Sequence, residues 1–228
     1  MEPLLLLHGA LGAPIQLFNL AGQFSDEYKV YSLAFTGHGG KEIPNEPLSI
    51  VLFAGEVLQF MEDNGINKIS IFGYSMGGYV AMYLAKNYPE KIKRVITLAT
   101  KYAWNEAIAA KEMKMLNPEK TEEKSPPFAV ALHKLHAPED WKKLMVKTAE
   151  MMEDMGKDNP LKPADFSGIQ APVLLLLGDR DKMVTLEETL SVFKALPNAQ
   201  MGMLPNTQHP VDRADVELLG YMVKKFLK

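Results

Sequence analysis

Cysteine is absent from the 228 residues, which excludes disulfide cross-links, thiolate nucleophiles and cysteine-ligated metal without identifying a compartment. Charge of either sign is scarcely in excess: 25 Lys and Arg against 28 Asp and Glu leave a net charge of −3, no footprint for nucleic acid or an anionic membrane. No apolar run reaches the roughly 18–20 residues that span a bilayer. The start, Met1-Glu2-Pro3 followed by four leucines, lacks both the basic residues and the long apolar stretch of a secretory signal. There is no internal repeat and no low-complexity tail. The expectation is a soluble cytoplasmic protein with no nucleic-acid or membrane partner, a monomer or homodimer. What is present is 47% hydrophobic composition, enough for one substantial core in a single domain or a domain carrying an insertion.

Short apolar runs alternate with amphipathic stretches. Leu4 to Leu7, Val30 to Ala34, Lys68 to Phe72, Arg94 to Ala99, Val173 to Leu177 and Met201 to Leu204 read as strands. Pro14 to Gln23, Ser49 to Asn64, Met76 to Lys86, Leu186 to Ala195 and Asp212 to Phe226 carry apolar residues at three- and four-residue intervals and read as helices. Strands that are apolar almost throughout belong in a parallel sheet covered on both faces, with the helices as right-handed crossovers. The fold class is therefore doubly wound α/β. From Lys101 to Gly168 the alternation stops, and Lys, Glu and Met dominate between six prolines. A loop of that length without structure of its own is improbable, so residues 101–168 read as an inserted helical lid between core segments 1–100 and 169–228. Its methionines, Met113, Met115, Met145, Met151, Met152 and Met155, fit a helical core face, and adaptable methionines could also line a pocket.

The chemistry points to Gly73-Tyr74-Ser75-Met76-Gly77-Gly78, where an apolar strand gives way to a helix. A nucleophilic serine needs a sharp, strained strand-to-helix turn that holds its oxygen clear of the backbone, and glycines two residues either side let neighbouring chain pass close by. The alternative is a tight turn with an ordinary exposed serine. A serine hydroxyl reacts only if a neutral imidazole takes its proton, and that imidazole needs an acceptor to fix its tautomer. His209, in the loop between the last strand and the last helix, is the candidate base. His8 and His38 lie in Gly-rich turns and would hold loop geometry. His133 and His136, three apart in the lid, have no acidic or histidine partner at metal-ligand spacing and read as a solvated or substrate-facing pair. Asp179 and Asp181 follow the strand ending at Leu177, and either could face His209, or simply cap a turn. An oxyanion would need two backbone N–H groups, one from Met76 and one from the turn after the first strand, at Ala10.

Together these residues resemble the α/β-hydrolase fold superfamily. His8-Gly9-Ala10, Gly37-His38-Gly39, Gly73-Tyr74-Ser75-Met76-Gly77, Gly178 to Val184 and His209 match its landmarks in its order, Ser then Asp then His, across essentially the whole chain. The family pattern Gly-x-x-Asp-x-x-Val falls on Gly178, Asp181 and Val184, which favours Asp181 over Asp179. The resemblance also implies a helical cap at 101–168, with Tyr102 and Trp104 lining its hinge and the acyl pocket. Members usually begin with two antiparallel strands that are not found here before Leu4, so about six parallel strands are expected, with Val30 to Ala34 on an exposed edge.

The implied chemistry is acyl transfer from small to medium carboxylic esters or thioesters, by Ser75, His209 and Asp181, with no cofactor and no metal. Serine at the elbow argues against dehalogenase and epoxide-hydrolase chemistry, which use aspartate there. Fold does not fix function, and carbon–carbon hydrolysis, a lyase step, perhydrolysis or a slow-turnover ligand receptor would use the same residues.

Overall fold

Leu4 to Leu7 have no exposed surface, and their side chains alternate between the two faces of a central strand: Leu5 and Leu7 point into one core, Leu4 and Leu6 into the other. That strand, β1 (Glu2–Leu7), begins the computed structural model, which describes residues 1–228. It is followed by a 3-10 turn (Pro14–Leu17), α1 (Phe18–Gly22), β2 (Tyr28–Leu33), α2 (Ile50–Asp63), β3 (Ile69–Tyr74), α3 (Met76–Asn87) and β4 (Ile92–Leu98). After a helical segment come β5 (Val173–Gly178), a helix at Leu186–Ala195, β6 (Ala199–Leu204) and a last helix at Val216–Leu227. All six strands are parallel, in the order β2-β1-β3-β4-β5-β6. The six-stranded, doubly wound sheet is the one expected, and β2 is indeed an edge.

One core packs α2, α3 and the Leu186–Ala195 helix through Phe53, Val57, Val80, Leu84 and Val192. The other packs α1 and the last helix through Leu20, Leu219 and Val223. From β1 the chain crosses to β2 on one side and β3 on the other, so strand order reverses between β1 and β3. In such sheets the crevice outside the carboxyl ends at the reversal is where ligands bind. Ser75 and the Gly9–Gly12 turn both lie there, each directly after one of those two strands.

Residues 101–168 contain four α-helices, α4 (Glu106–Met113), α5 (Pro118–Lys124), α6 (Pro126–His136) and α7 (Trp141–Lys157), and a closing 3-10 turn (Pro163–Gly168). Pro118 and Pro126 open α5 and α6, the position where a missing N–H costs nothing. Asn105, Asn117 and Asp140 cap α4, α5 and α7 with side-chain oxygens. The Leu186–Ala195 helix is α8 and the Val216–Leu227 helix is α9. No helix is long and apolar enough to cross a membrane.

Two helix expectations need correction. Pro14 to Gln23 is not one helix: the 3-10 turn precedes a short α1, and the apolar Ile15 and Phe18 that suggested continuity face solvent. The final helix starts at Val216 rather than Asp212, because Asp215 accepts from the N–H groups of Glu217 and Leu218 and fixes the first turn there.

Candidate active site

Between the end of β3 and the start of α3 there is one residue, Ser75, with φ 50° and ψ −114°. A positive φ on a side-chain-bearing residue is disfavoured by roughly 1–3 kcal/mol and persists only where the surroundings impose it. The Ser75 N–H donates to the Leu98 carbonyl at 2.8 Å, and its own carbonyl accepts from the N–H groups of Gly78 and Tyr79 and from the Thr100 hydroxyl. The flanking glycines permit the turn. A Cβ on Gly77 would lie 2.5 Å from the Leu7 carbonyl oxygen, and one on Gly73 would meet the Gly77–Gly78 peptide at 2.4 Å. The Ser75 side chain makes no capping bond to α3, so its hydroxyl is not committed to the helix.

The turn after β1 abuts this elbow: a Cβ on Gly9 would lie 3.2 Å from the Ser75 Cβ. Its Gly9 carbonyl accepts from the Gly12 N–H at 3.1 Å and from the His8 Nδ1–H at 2.8 Å. Because the peptide is planar and trans, anchoring the Gly9 oxygen turns the Ala10 N–H the opposite way. Met76 opens α3, so its N–H has no helical partner. Ala10, Ser75 and Met76 line one cavity of about 40 Å³, completed by Ile50, Tyr79, Lys101, Trp104, Met151, Met152 and Met155.

His209 Nδ1 is 2.8 Å from Asp181 Oδ2, and the ring stands against Tyr74, the residue before Ser75, at a centroid separation of 5.7 Å. Asp181 Oδ1 accepts from the N–H groups of Met183 and Val184 at 2.8 and 2.9 Å. Burial alone would raise its pKa. The bonds from His209, Val184 and Met183 outweigh burial and hold the carboxyl below its usual range. An ionised acceptor at Oδ2 makes Nδ1 the protonated nitrogen and leaves Nε2 able to accept a proton. No hydrogen bond joins His209 to the Ser75 hydroxyl in this structure; such contacts are often long without substrate. Asp179 does something else: it accepts from the Thr207 N–H at 3.1 Å and ties down the His209 loop.

His8 and His38 hold loops, as expected. His8 Nε2 accepts from the Phe35 N–H at 3.2 Å, and His38 Nδ1 donates to the Thr36 carbonyl at 3.0 Å. Burial lowers their pKa values to about 4 and about 3, so both are neutral near pH 7. The expectation of a solvated or substrate-facing His133–His136 pair is wrong for His136. That ring is fully buried between two loops of the core, while His133 faces solvent.

Residues 2–122, just over half of the chain, match the family described as alpha/beta hydrolase fold. The chain belongs to that family. Within it, a candidate esterase/lipase of Haemophilus influenzae is 22% identical over 98% of this chain and 82% of its own length. A candidate carbamate hydrolase of Pseudomonas savastanoi is 25% identical over 93% of this chain and 89% of its own. An abhydrolase domain-containing protein of Schizosaccharomyces pombe is 34% identical, but over 42% of this chain, which there spans only 36% of that relative. Among solved structures, the enol-lactonase of Burkholderia xenovorans superposes with a TM-score of 0.80 at 19% identity, covering 99% of this chain and 91% of that one. At that identity the likeness is one of fold.

In this alpha/beta hydrolase, Trp104 lines the Ser75 cavity but Tyr102 does not. The Tyr102 ring is buried, stacked on the cavity-lining Tyr79, with its hydroxyl donating to Thr97 at 2.9 Å. Of the methionines, Met151, Met152 and Met155 reach the cavity from α7. Lys101 also lines it, a residue that sequence reasoning missed. Its ammonium stands 3.5 Å from Glu112 and 3.7 Å from Glu188, and Glu188 accepts from the Tyr102 and Ala103 N–H groups. Its position three residues beyond β4, at the carboxyl edge of the sheet, was the available signal.

Proposed function

We propose that this chain is a serine hydrolase of small carboxylic esters or thioesters, working through an acyl-enzyme. Ser75 is the nucleophile, His209 the general base and Asp181 the residue that orients it. Neutral His209 takes the hydroxyl proton at Nε2 as Ser75 Oγ attacks the carbonyl carbon, and the carbonyl oxygen becomes an oxyanion held by the N–H groups of Ala10 and Met76. The imidazolium then gives its proton to the leaving alcohol as the carbon–oxygen bond breaks, and water repeats the sequence to release the acid. No step calls for a cofactor. The observation that carries this reading is the Asp181–His209 hydrogen bond at 2.8 Å, beside a strained elbow whose serine hydroxyl makes no capping bond to its helix.

Residues 101–168 act as a cap over this site. Their methionines leave only a narrow cavity of about 40 Å³ beside Ser75, far below the roughly 300–1,000 Å³ of a typical small-molecule pocket. Short acyl groups are therefore the preferred substrates, and longer ones require α7 or its methionines to move. Steady-state kinetics on p-nitrophenyl acetate, butyrate and octanoate test this directly. The expected result is the highest kcat/KM on acetate and none in Ser75→Ala. Equal rates in Ser75→Ala and the parent would remove Ser75 from the chemistry.

A further inference from the structure

His136 ends α6, far from Ser75 in sequence, yet its ring reaches into the core and touches the turn beside the candidate nucleophile. Nδ1 accepts from the Gly39 N–H at 3.0 Å, and Nε2 lies 3.1 Å from the Leu11 carbonyl. An Nδ1 that accepts carries no proton, so Nε2 bears the hydrogen and donates to Leu11. Leu11 is the third residue of the Gly9–Gly12 turn and holds φ 54°, a left-handed conformation that a leucine resists. Glycine would be the usual residue there; the leucine contributes a side chain buried in the core. Besides that burial, two imidazoles fix the turn's carbonyls, His8 on Gly9 and His136 on Leu11, one either side of the Ala10 peptide.

We propose that His136 is a positioning residue for the oxyanion site, holding the Gly9–Gly12 turn so that the Ala10 N–H points into the cavity it shares with Ser75. The proposal rests on the serine-hydrolase reading. It adds that the segment at 101–168 completes the catalytic geometry besides covering it. The neighbouring Glu139 carboxylate accepts from the Ile43 N–H at 3.1 Å, so the α6–α7 junction is clamped to the core at the place where His136 enters.

The test compares the parent with His136→Phe, which keeps a ring and loses both hydrogen bonds. His136→Asn serves as the second variant: it can still accept from Gly39 but is too short to reach Leu11. Rates on p-nitrophenyl acetate are normalised to titrated active sites. A trifluoromethyl ketone supplies the second readout. Ser75 Oγ adds to its carbonyl carbon, the serine proton passes to His209, and the carbonyl oxygen becomes an oxyanion that needs the same N–H groups.

Losing one oxyanion donor costs about 100- to 1,000-fold, so misaiming one should lower kcat by about 10- to 100-fold in both variants. KM should stay within about twofold, and ketone affinity should fall in step with kcat. A residue that only packs would lower the melting temperature and leave kcat per active site and ketone affinity unchanged. Either variant, folded, with parental kcat and ketone affinity overturns the proposal. A parent that neither hydrolyses the ester nor binds the ketone refutes the serine-hydrolase reading itself, before any His136 variant is made.

Discussion

Replacing Asp181 by Asn changes one oxygen to an amide nitrogen, and the surroundings dictate which one. Oδ1 accepts two backbone N–H groups, from Met183 and Val184, and an amide nitrogen there would face two donors. The side chain therefore keeps its oxygen on that side and presents its NH2 to His209, where Oδ2 stood at 2.8 Å. An amide donor requires Nδ1 to become the acceptor, which moves the imidazole proton to Nε2. A ring protonated at Nε2 cannot take the serine proton. The same carboxylate-to-amide change in a serine protease lowers kcat by about 10⁴, or about 5 kcal/mol of barrier at 1.36 kcal/mol per decade. We expect Asp181→Asn to lose about 10³- to 10⁴-fold in kcat on p-nitrophenyl acetate, with the melting temperature within a few degrees of the parent because both backbone bonds survive. Asp179→Asn, whose oxygen can still accept from Thr207, should change kcat only a few-fold. A loss of less than tenfold in Asp181→Asn, or an equal loss in Asp179→Asn, would refute the tautomer argument.

Ser75→Gly should be inactive yet more stable by about 1 kcal/mol in urea unfolding, since glycine relieves the strain of φ 50° while adding some chain entropy to the unfolded state; a less stable variant would show that the elbow is not strained. Gly77→Ala places a Cβ 2.5 Å from the Leu7 carbonyl and should cost about 2–3 kcal/mol while disturbing both β1 and the elbow, whereas parental stability would mean that α3 and β1 part readily. Stability should also fall as the pH drops below about 6.5, because His8, with a folded pKa of about 4, stays neutral while the unfolded chain takes up the proton. This term is fully present above the unfolded value near 6.5 and is lost on acidification towards the folded one, about 2–3 kcal/mol from His8 alone by pH 4.5. An unfolding midpoint unchanged between pH 7 and pH 4.5 would contradict it.

The sheet was legible because its physics is local: strands buried on both faces must be apolar throughout, and Leu4 to Leu7 or Val173 to Leu177 admit no other pattern. The elbow was legible for the same reason, since Gly73 and Gly77 mark close backbone approaches that a Cβ would block. Spacing favoured Asp181 over Asp179 only mildly and the family pattern did the rest, because two aspartates in one turn look alike until their hydrogen-bond donors are seen. His136 was misread because its partners, the Leu11 carbonyl and Gly39 N–H, are backbone groups that leave no mark in the spacing of side chains. Lys101 was hidden similarly: its partners Glu112 and Glu188 come from α4 and α8, and nothing in the sequence pairs those elements. The methionines of 101–168 divide by position, Met151 and Met155 one turn apart on the buried face of α7, while Met115 lies outside any helix and faces solvent.

The central claim is that Ser75 is an activated nucleophile, and covalent labelling by a fluorophosphonate tests it most directly. Intact mass followed by peptide mapping should find one adduct, on Ser75. The adduct should be absent in Ser75→Ala and should form at least about a hundredfold more slowly in His209→Ala, the lower range for loss of a general base. No adduct on the folded parent, or an adduct on any other residue, would contradict the account.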